Sequence, residues 1–330
     1  MEVKALKFGG LTAKRPIVQG GMGVGVSLSS LAGNVAKCGG IGTISGVHPG
    51  YKEADFKENP FRANLRAIGN ELEKAKEIAN GGIIGFNFMT VMNHYEEYVK
   101  EAIGAGADFI VSGAGLPVNL AKYAAGTRAA ILPIVSSARA LKLIVKQWQR
   151  ADRLPDAVVV EGPLAGGHLG YPYGHLVDGT FDTLEDSLVD VVDYVRELEE
   201  KNGVIIPVIA GGGVRSHADM ERLMALGASG VQVGTKFVAT EECDAAPAFK
   251  QAYLRSRKED VQLIESPVGL AARAIRNSFL EKVEKQGRIP VQRCYQCMNH
   301  CKQAETKYCI SQALIDAVQG REGLVFCGAN

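Results

Sequence analysis

Eight short apolar runs, spaced along the first 235 residues, most strongly limit what this chain can fold into. Each run is rich in β-branched or aromatic residues and has no polar alternation, which is typical of parallel strands buried on both faces. The runs cover residues 16–19, 40–44, 83–87, 109–112, 130–135, 157–160, 204–209 and 230–233.

Stretches with helical periodicity separate these runs. Between residues 184 and 200, for example, Leu188, Val191 and Val195 fall on one helical face. Several runs follow small-residue turns, such as Gly39-Gly40 and Gly106-Ala-Asp108, that end a helix. Eight such units predict an α/β fold, a (β/α)8 TIM barrel. The alternative is an open doubly wound sheet, but the Gly-x-Gly-x-x-Gly turn of that fold is absent after the first run.

The chain has 330 residues, enough for one barrel and an appendage, and we divide it into three segments. Residues 1–239 form the predicted barrel. Residues 240–290, which are charged and broken at 266–269, are expected to supply the last barrel helices and a small helical lid. Residues 291–330 are a Cys-rich C-terminal segment.

Charge and hydropathy exclude some classes of partner. Lys and Arg number 37 against 36 Asp and Glu, for a net charge of +1, so no basic field for nucleic acid or an anionic membrane is expected. No apolar run is long enough to span a bilayer, and the first residues lack the apolar core of a signal peptide. We therefore expect a cytoplasmic protein; whether it forms a homodimer stays open.

Two glycine clusters follow the seventh and eighth runs. They contain Gly212 and Gly213 in the first case, and Gly234 followed by Thr235 in the second. In barrels of this kind, the loops after strands seven and eight commonly hold a phosphate, because bare backbone N–H groups approach its oxygens. Phosphate binding is therefore predicted, and the alternative is that these glycines only make tight turns.

His168 follows the sixth run, directly behind Gly166 and Gly167. At the end of a barrel strand its side chain can reach a substrate, and its near-neutral pKa suits proton transfer. We predict that it is catalytic. The alternative is a histidine that only hydrogen-bonds a cofactor or the loop.

Weaker signals follow the first and third runs. The backbone at Gly21 and Met22, and the amide of Asn87, can hydrogen-bond a planar ring, although turns and caps use the same residue types.

Six motifs in order resemble the nitronate monooxygenase (2-nitropropane dioxygenase) superfamily, which includes the FMN-dependent enoyl-ACP reductases of the FabK type. The resemblance spans about residues 10–280. The motifs are Ile17-Val-Gln-Gly-Gly-Met22, Gly85-Phe-Asn87, Pro133-Ile-Val-Ser-Ser137, Glu161-Gly-Pro-Leu-Ala-Gly-Gly-His168, Ala210-Gly-Gly-Gly213 and Gln232-Val-Gly-Thr235.

The resemblance implies bound FMN. Its phosphate would lie at Gly212, Gly213, Gly234 and Thr235, and its isoalloxazine ring near Gly21, Met22 and Asn87. Ser136 or Glu161 would also be close, with Gly166 and Gly167 in the adjoining turn. His168 matches the active-site histidine of the family.

Three functions follow from this resemblance. The first is oxidation of alkyl nitronates through the flavin. The second is reduction of an enoyl thioester, with NAD(P)H as electron donor. A non-catalytic flavin carrier is the third, and it leaves His168 without a purpose. The partner is accordingly a small molecule or an acyl thioester.

The cysteine segment departs from the common members of this superfamily. Cys294, Cys297, Cys301 and Cys309 place four thiols within 16 residues. Four thiolates can hold a [4Fe–4S] cluster or zinc, and the start of the pattern is similar to that of the flavin–iron–sulfur 2,4-dienoyl-CoA reductases. Iron–sulfur, structural zinc and free thiols therefore remain open.

Overall fold

The computed structural model describes residues 4–299 and 301–329. The outer ends of the predicted first and last segments, residues 1–3 and 330, lie outside this part. The strands, in chain order, are β1 (Leu6–Phe8), β2 (Leu11–Ala13), β3 (Ile17–Gln19), β4 (Ile41–Ser45), β5 (Ile83–Met89), β6 (Phe109–Gly113), β7 (Ala130–Val135), β8 (Val158–Glu161), β9 (Gly167–Leu169), β10 (Val208–Gly211), β11 (Gly230–Val233), β12 (Val261–Glu265) and β13 (Ala271–Ile275).

Eight of these strands close into a barrel in which neighbours are parallel. Its order is β3-β4-β5-β6-β7-β8-β10-β11, and β11 pairs back onto β3 with Val231 opposite Ile17. Each barrel strand falls on one of the eight apolar runs. The predicted (β/α)8 barrel is therefore confirmed, and the open doubly wound sheet is wrong.

Helices surround the barrel. The two longest helices, α2 (Pro60–Ala79) and α7 (Leu184–Asn202), each connect one barrel strand to the next along the outside of the sheet. The helices are α1 (Ser29–Lys37), α2 (Pro60–Ala79), α3 (Tyr95–Gly104), α4 (Leu120–Tyr123), α5 (Ala138–Trp148), α6 (Tyr173–Asp178), α7 (Leu184–Asn202), α8 (His217–Ala225), α9 (Thr235–Val238), α10 (Pro247–Arg255), α11 (Ser278–Gln286) and α12 (Ile310–Val318).

Local signals set the ends of α7. The Thr183 side chain caps the backbone N–H of Asp186, whose carboxylate binds back to Thr183, and Gly203 ends the helix in the left-handed region. The residues predicted for its apolar face are buried. The helix expected between residues 184 and 200 is thus present.

The hydrophobic core has an inner and an outer layer. Inside the barrel, Val18, Phe109, Leu132 and Val159 belong to one buried cluster, while the outer faces of the strands pack against the helices. The β1–β2 hairpin adds to the inner cluster, since the ring of Phe8 lies 6.1 Å from that of Phe109. These two short strands precede the first apolar run and were not predicted.

The segment from 240 to 290 is only partly helical, so the expected helical lid is corrected. It contains α10 and α11, but between them β12 and β13 form an antiparallel hairpin whose second strand also pairs with β9. The break seen at residues 266–269 is the turn of this hairpin. Because β9 carries His168, the hairpin supports the predicted catalytic residue with main-chain hydrogen bonds.

The described residues beyond 290, namely 291–299 and 301–329, contain one helix, α12 (Ile310–Val318). The rest of this segment is non-helical, and it joins the β13 strand through an isolated bridge between Ala274 and Phe326. In the part of the chain that the structure describes, no helix is both long and apolar enough to cross a membrane.

Candidate active site

A deep pocket opens at the carboxyl-terminal ends of the barrel strands. Its walls include Gly21 after β3, Asn87 in β5, Glu161 in β8, Gly212 after β10 and Gly234 after β11. This is the face on which TIM barrels carry their active sites.

The structure brings together all but one of the residues predicted to bind the cofactor or to act in catalysis. The residues that line the pocket are Gly21, Met22, Asn87, Glu161, Gly166, Gly167, His168, Gly212, Gly213, Gly234 and Thr235. Ser136 is not among the lining residues, and its hydroxyl donates a hydrogen bond to the Gly170 carbonyl at 3.0 Å.

Bare backbone lines the side of the pocket formed after β10 and β11. Gly212 and Gly213 have φ of +100° and +88°, which strongly favours glycine. A Cβ on Gly212 would lie 3.0 Å from the carbonyl oxygen of Gly162, and one on Gly234 would lie 3.5 Å from the Met22 sulfur. Backbone conformation therefore favours glycine at 212 and 213, and at 212 the neighbouring Gly162 backbone also leaves little room for a side chain.

The loop after β3 lies against Asn87. A Cβ on Gly21 would lie only 2.4 Å from the Cβ of Asn87, so glycine is required for this close approach. The loop is also fixed by the Ser27 hydroxyl, which accepts a hydrogen bond from the Met22 N–H at 2.8 Å. Gly21, Met22 and Asn87 consequently form one surface of the pocket.

His168 is held between the hairpin and the C-terminal segment. Its Nε2 atom is 2.8 Å from the Ser266 hydroxyl, and the ring of Phe326 meets its imidazole edge-to-face with centroids 5.0 Å apart. Desolvation lowers the pKa of His168 to about 4. The imidazole is therefore neutral near pH 7, and burial opposes its protonation.

Glu161 titrates in the opposite sense. It is the last residue of β8, and burial raises the pKa of its carboxyl to about 7. Near neutral pH it exists in both protonation states. The pocket thus holds one carboxyl, Glu161, that can exchange a proton near neutral pH, beside an imidazole, His168, that burial keeps neutral.

A buried arginine shapes the loop that carries His168. The Arg273 guanidinium donates hydrogen bonds to the carbonyls of Pro163 and Ala165, at 2.8 and 2.6 Å. Arg273 lies in β13, far from this loop in sequence, and no local pattern pointed to it. The contact depends on the pairing of β13 with β9, which brings Arg273 to the loop that precedes His168.

The C-terminal segment supplies a wall that sequence reasoning missed. Phe326, Cys327, Gly328 and Ala329 all line the pocket. The Gly328 N–H donates to the Thr235 hydroxyl at 2.9 Å, and the Ala329 N–H donates to the Leu164 carbonyl at 3.1 Å. These contacts fix the segment directly across the pocket from the barrel.

The four clustered cysteines lie around a second, smaller cavity. Cys294, Cys297, Cys301 and Cys309 all line it. Within residues 4–299 and 301–329, no three His, Cys, Asp or Glu side chains are grouped closely enough to hold a metal ion. The structure therefore gathers the thiols at one place without closing them into a metal site.

Comparison with known proteins identifies the family. The family model described as nitronate monooxygenase matches residues 4–330. The chain belongs to the nitronate monooxygenase family. Proteins of this family are oxidoreductases, and the chain is accordingly an oxidoreductase enzyme.

Related sequences agree with this family. A protein described as a probable nitronate monooxygenase from Staphylococcus saprophyticus is 25% identical over 308 residues, which cover 86% of this chain and 82% of the relative. Another with the same description, from Staphylococcus aureus strain Newman, is 27% identical over 305 residues, covering 85% and 81%.

Solved structures support the same architecture. FabK from Thermotoga maritima superimposes with a TM-score of 0.64 at 26% identity, covering 83% of this chain and 75% of that chain. The nitroalkane oxidase from Streptomyces ansochromogenes also has a TM-score of 0.64, at 21% identity, with coverage of 95% and 89%. This second similarity concerns the fold alone.

Proposed function

We propose that the pocket binds FMN and that the enzyme oxidises small alkyl nitronates. The observation that carries this proposal is that a neutral His168 lines the same pocket as Gly212 and Gly234. Membership of the nitronate monooxygenase family supports the same reaction.

The residues present fit the phosphate end of FMN. A phosphate needs close approach to backbone N–H groups, and Gly212, Gly213 and Gly234 line the pocket without a side chain. The hydroxyl of Thr235, and the exposed side chains of Arg215 and Lys236 on the pocket rim, add a donor and two cations. These residues would hold the phosphate.

The residues after β3 and in β5 fit a planar ring. Gly21 brings backbone against Asn87, whose amide offers both a donor and an acceptor to a pyrimidine edge. When bound there, FMN supplies the two-electron redox chemistry that amino-acid side chains lack.

The chain's own contribution is to bind the substrate and to move a proton. A neutral imidazole at His168 would donate a hydrogen bond to the nitronate oxygens, and Glu161, whose pKa is about 7, would take up or release the proton. Leu314, Leu324 and Phe326 form an apolar wall nearby, which suits a short alkyl chain. The same wall excludes water from the reacting atoms.

An anaerobic mixing experiment tests the proposal. The enzyme loaded with FMN is mixed without oxygen with an alkyl nitronate, and flavin absorbance is followed in a stopped-flow instrument. We expect rapid bleaching by the nitronate and slow or no bleaching by NADH. Rapid bleaching by NADH, with none by the nitronate, would overturn the proposal.

A second candidate is reduction of enoyl thioesters. It is favoured by the similarity to FabK from Thermotoga maritima, at 26% identity. In this case NAD(P)H would bleach the flavin, and an enoyl thioester would restore its colour under anaerobic conditions. The same apparatus therefore separates the two candidates.

A further inference from the structure

The four-cysteine cavity is a feature that the proposed function does not use. Cys294, Cys297, Cys301 and Cys309 surround one small space, closed on its other sides by residues that include Pro267 and Tyr308. The thiols come from two different pieces of chain, a loop and the start of α12. Thiols gathered in this way form an all-sulfur donor set, which selects soft metals and iron–sulfur clusters.

The loop that carries Cys294 and Cys297 contains a tight turn of the kind found between metal-binding cysteines. Gln296, between Cys294 and Cys297, has φ of +50°, and its backbone N–H donates to the Cys294 sulfur at 3.4 Å. A non-glycine residue rarely adopts this conformation unless surrounding contacts hold it. Here the turn directs both thiols to one side of the loop.

Contacts with the barrel hold this loop. The Asn93 side chain donates to the Gln296 carbonyl at 2.7 Å, and the Asn93 backbone N–H donates to the Cys297 carbonyl at 3.2 Å. The ring of Tyr295 stacks on Phe56 at 5.4 Å. The loop is thus fixed by hydrogen bonds and packing on the protein side, which leaves the sulfur atoms for another partner.

The fourth thiol stands at the start of a helix. Cys309 is the N-cap of α12, and its side chain makes no capping hydrogen bond. The start of a helix stabilises negative charge. The sulfur is therefore available to a metal at a position that favours a negatively charged ligand.

The cations near the cavity are partly paired. Lys302 lies 3.1 Å from Glu305, and Lys307 lies 3.3 Å from Glu265. The guanidinium groups of Arg288 and Arg293 bind backbone carbonyls and can offset part of the negative charge that four thiolates bring to a cluster.

The sequence spacing of the four cysteines favours an iron–sulfur cluster over a structural zinc site. Structural zinc sites commonly take their ligands as two close pairs. In this chain Cys294, Cys297 and Cys301 are close in sequence and Cys309 stands apart, and three close ligands with one more distant are typical of iron–sulfur proteins.

We propose that Cys294, Cys297, Cys301 and Cys309 bind a [4Fe–4S] cluster. Assembly of the cluster draws the four side chains inward, since metal sites are rarely closed before the metal binds. The inference does not rest on the proposed substrate, because it depends on a different cavity and a different set of residues.

The two sites are direct neighbours in the fold. Ile310 lines the cysteine cavity and Leu314 lines the large pocket, and four residues of one helix span about 6 Å. On another side, Ser266 contacts His168 while the next residue, Pro267, lines the cysteine cavity. A cluster at the four thiols would therefore lie beside the pocket assigned to FMN.

The test is a metal analysis of the full chain purified without oxygen. We expect about four irons and four acid-labile sulfides per chain, together with a broad visible absorbance that is lost on reduction. Zinc at about one per chain without iron, or iron absent and the four thiols freely titratable, would overturn the proposal.

A matched pair of variants identifies the ligands. In Cys309→Ser the new hydroxyl is a favourable N-cap of similar size, so we expect folding to be preserved while a ligand is lost. We expect iron to fall to less than about half of its value in the parent chain. In the control Cys38→Ser, which changes an exposed thiol next to α1, iron content stays as in the parent. Equal iron in both variants would rule out the assigned ligands.

Flavin content is measured on the same samples. If the metal analysis fails but flavin is bound and bleached by a nitronate, the cluster is wrong and the proposed function stands. If iron and sulfide are present but a nitronate does not bleach the flavin, the cluster stands and the proposed function is wrong.

Discussion

The Nε2 atom of His168 lies 2.8 Å from the hydroxyl oxygen of Ser266, although 98 positions separate the two residues in the sequence. His168 belongs to β9, and Ser266 opens the turn between β12 and β13. Ala272 of β13 is paired with His168 itself. The same hairpin thus holds the backbone of His168 and one nitrogen of its imidazole.

Replacing His168 by Ala removes the neutral imidazole and leaves the glycine-lined walls in place. We expect FMN to remain bound and turnover to fall by about 10²–10³-fold, the usual effect of removing a hydrogen-bond donor from the reacting oxygens. Flavin absorbance and steady-state rates measure the two quantities. The control is His175→Ala, because His175 is exposed on α6 and does not line the pocket. Full turnover in His168→Ala would show that this residue is not catalytic.

Replacing Ser266 by Ala tests whether this hydroxyl positions His168. One hydrogen bond is worth about 0.5–1.5 kcal/mol, so turnover is expected to fall by about threefold to tenfold while FMN binding is unchanged. The pH profile of turnover should change as well, because the imidazole loses a partner. Ser266→Thr keeps the hydroxyl and should restore both. Equal losses in the Ala and Thr variants would point to packing in place of the hydrogen bond.

Glu161→Gln should alter stability in a pH-dependent way. Burial raises the pKa of Glu161 to about 7 from an ordinary value of 4.5, so between these values the unfolded chain is ionised while the folded carboxyl keeps its proton. The cost to the folded state therefore grows as pH rises from 4.5 and is complete above pH 7. We expect the variant to be more stable than the parent by about 1–3 kcal/mol at pH 8, and nearly equal to it at pH 4.5.

Denaturant unfolding at the two pH values measures this difference. Glu259→Gln is the matched control, since Glu259 is exposed outside the pocket, and it should change stability equally at both pH values. A stabilisation by Glu161→Gln that is the same at pH 4.5 and pH 8 would contradict the raised pKa.

Gly21→Ala places a methyl group where its carbon would lie 2.4 Å from the Cβ of Asn87. The loop and Asn87 must move apart, so we expect a loss of about 1–3 kcal/mol of stability together with weaker FMN binding. Gly69→Ala, in the interior of α2 with open space around it, should instead stabilise the protein by about 0.5–1 kcal/mol. Fluorescence titration of FMN and thermal unfolding would detect both changes, and unaltered FMN affinity in Gly21→Ala would separate this loop from the cofactor.

The barrel could be predicted because its signals are local. A run such as Ala130–Val135 is apolar throughout since both of its faces are buried, and that pattern is present in the sequence itself. Likewise Gly212 and Gly213 stand directly after a strand, where the fold assigns them to the pocket.

The parts that were missed depend on contacts between distant residues. Nothing near Arg273 shows that its guanidinium binds carbonyls at 163 and 165, and nothing near Phe326 places its ring on His168. The charged residues around 258–260 favoured a helix, whereas the pairing of β13 with β9 made the following segment a hairpin. Tertiary pairing decided the structure where local preference was weak.

The contact between Gly328 and Thr235 also has a consequence for synthesis of the protein. The pocket wall includes residues from Gly20 to Ala329, so a growing chain on the ribosome can close the barrel strands before it can close the pocket. Capture of a cofactor should therefore be a late event, which follows the emergence of residue 329 from the exit tunnel.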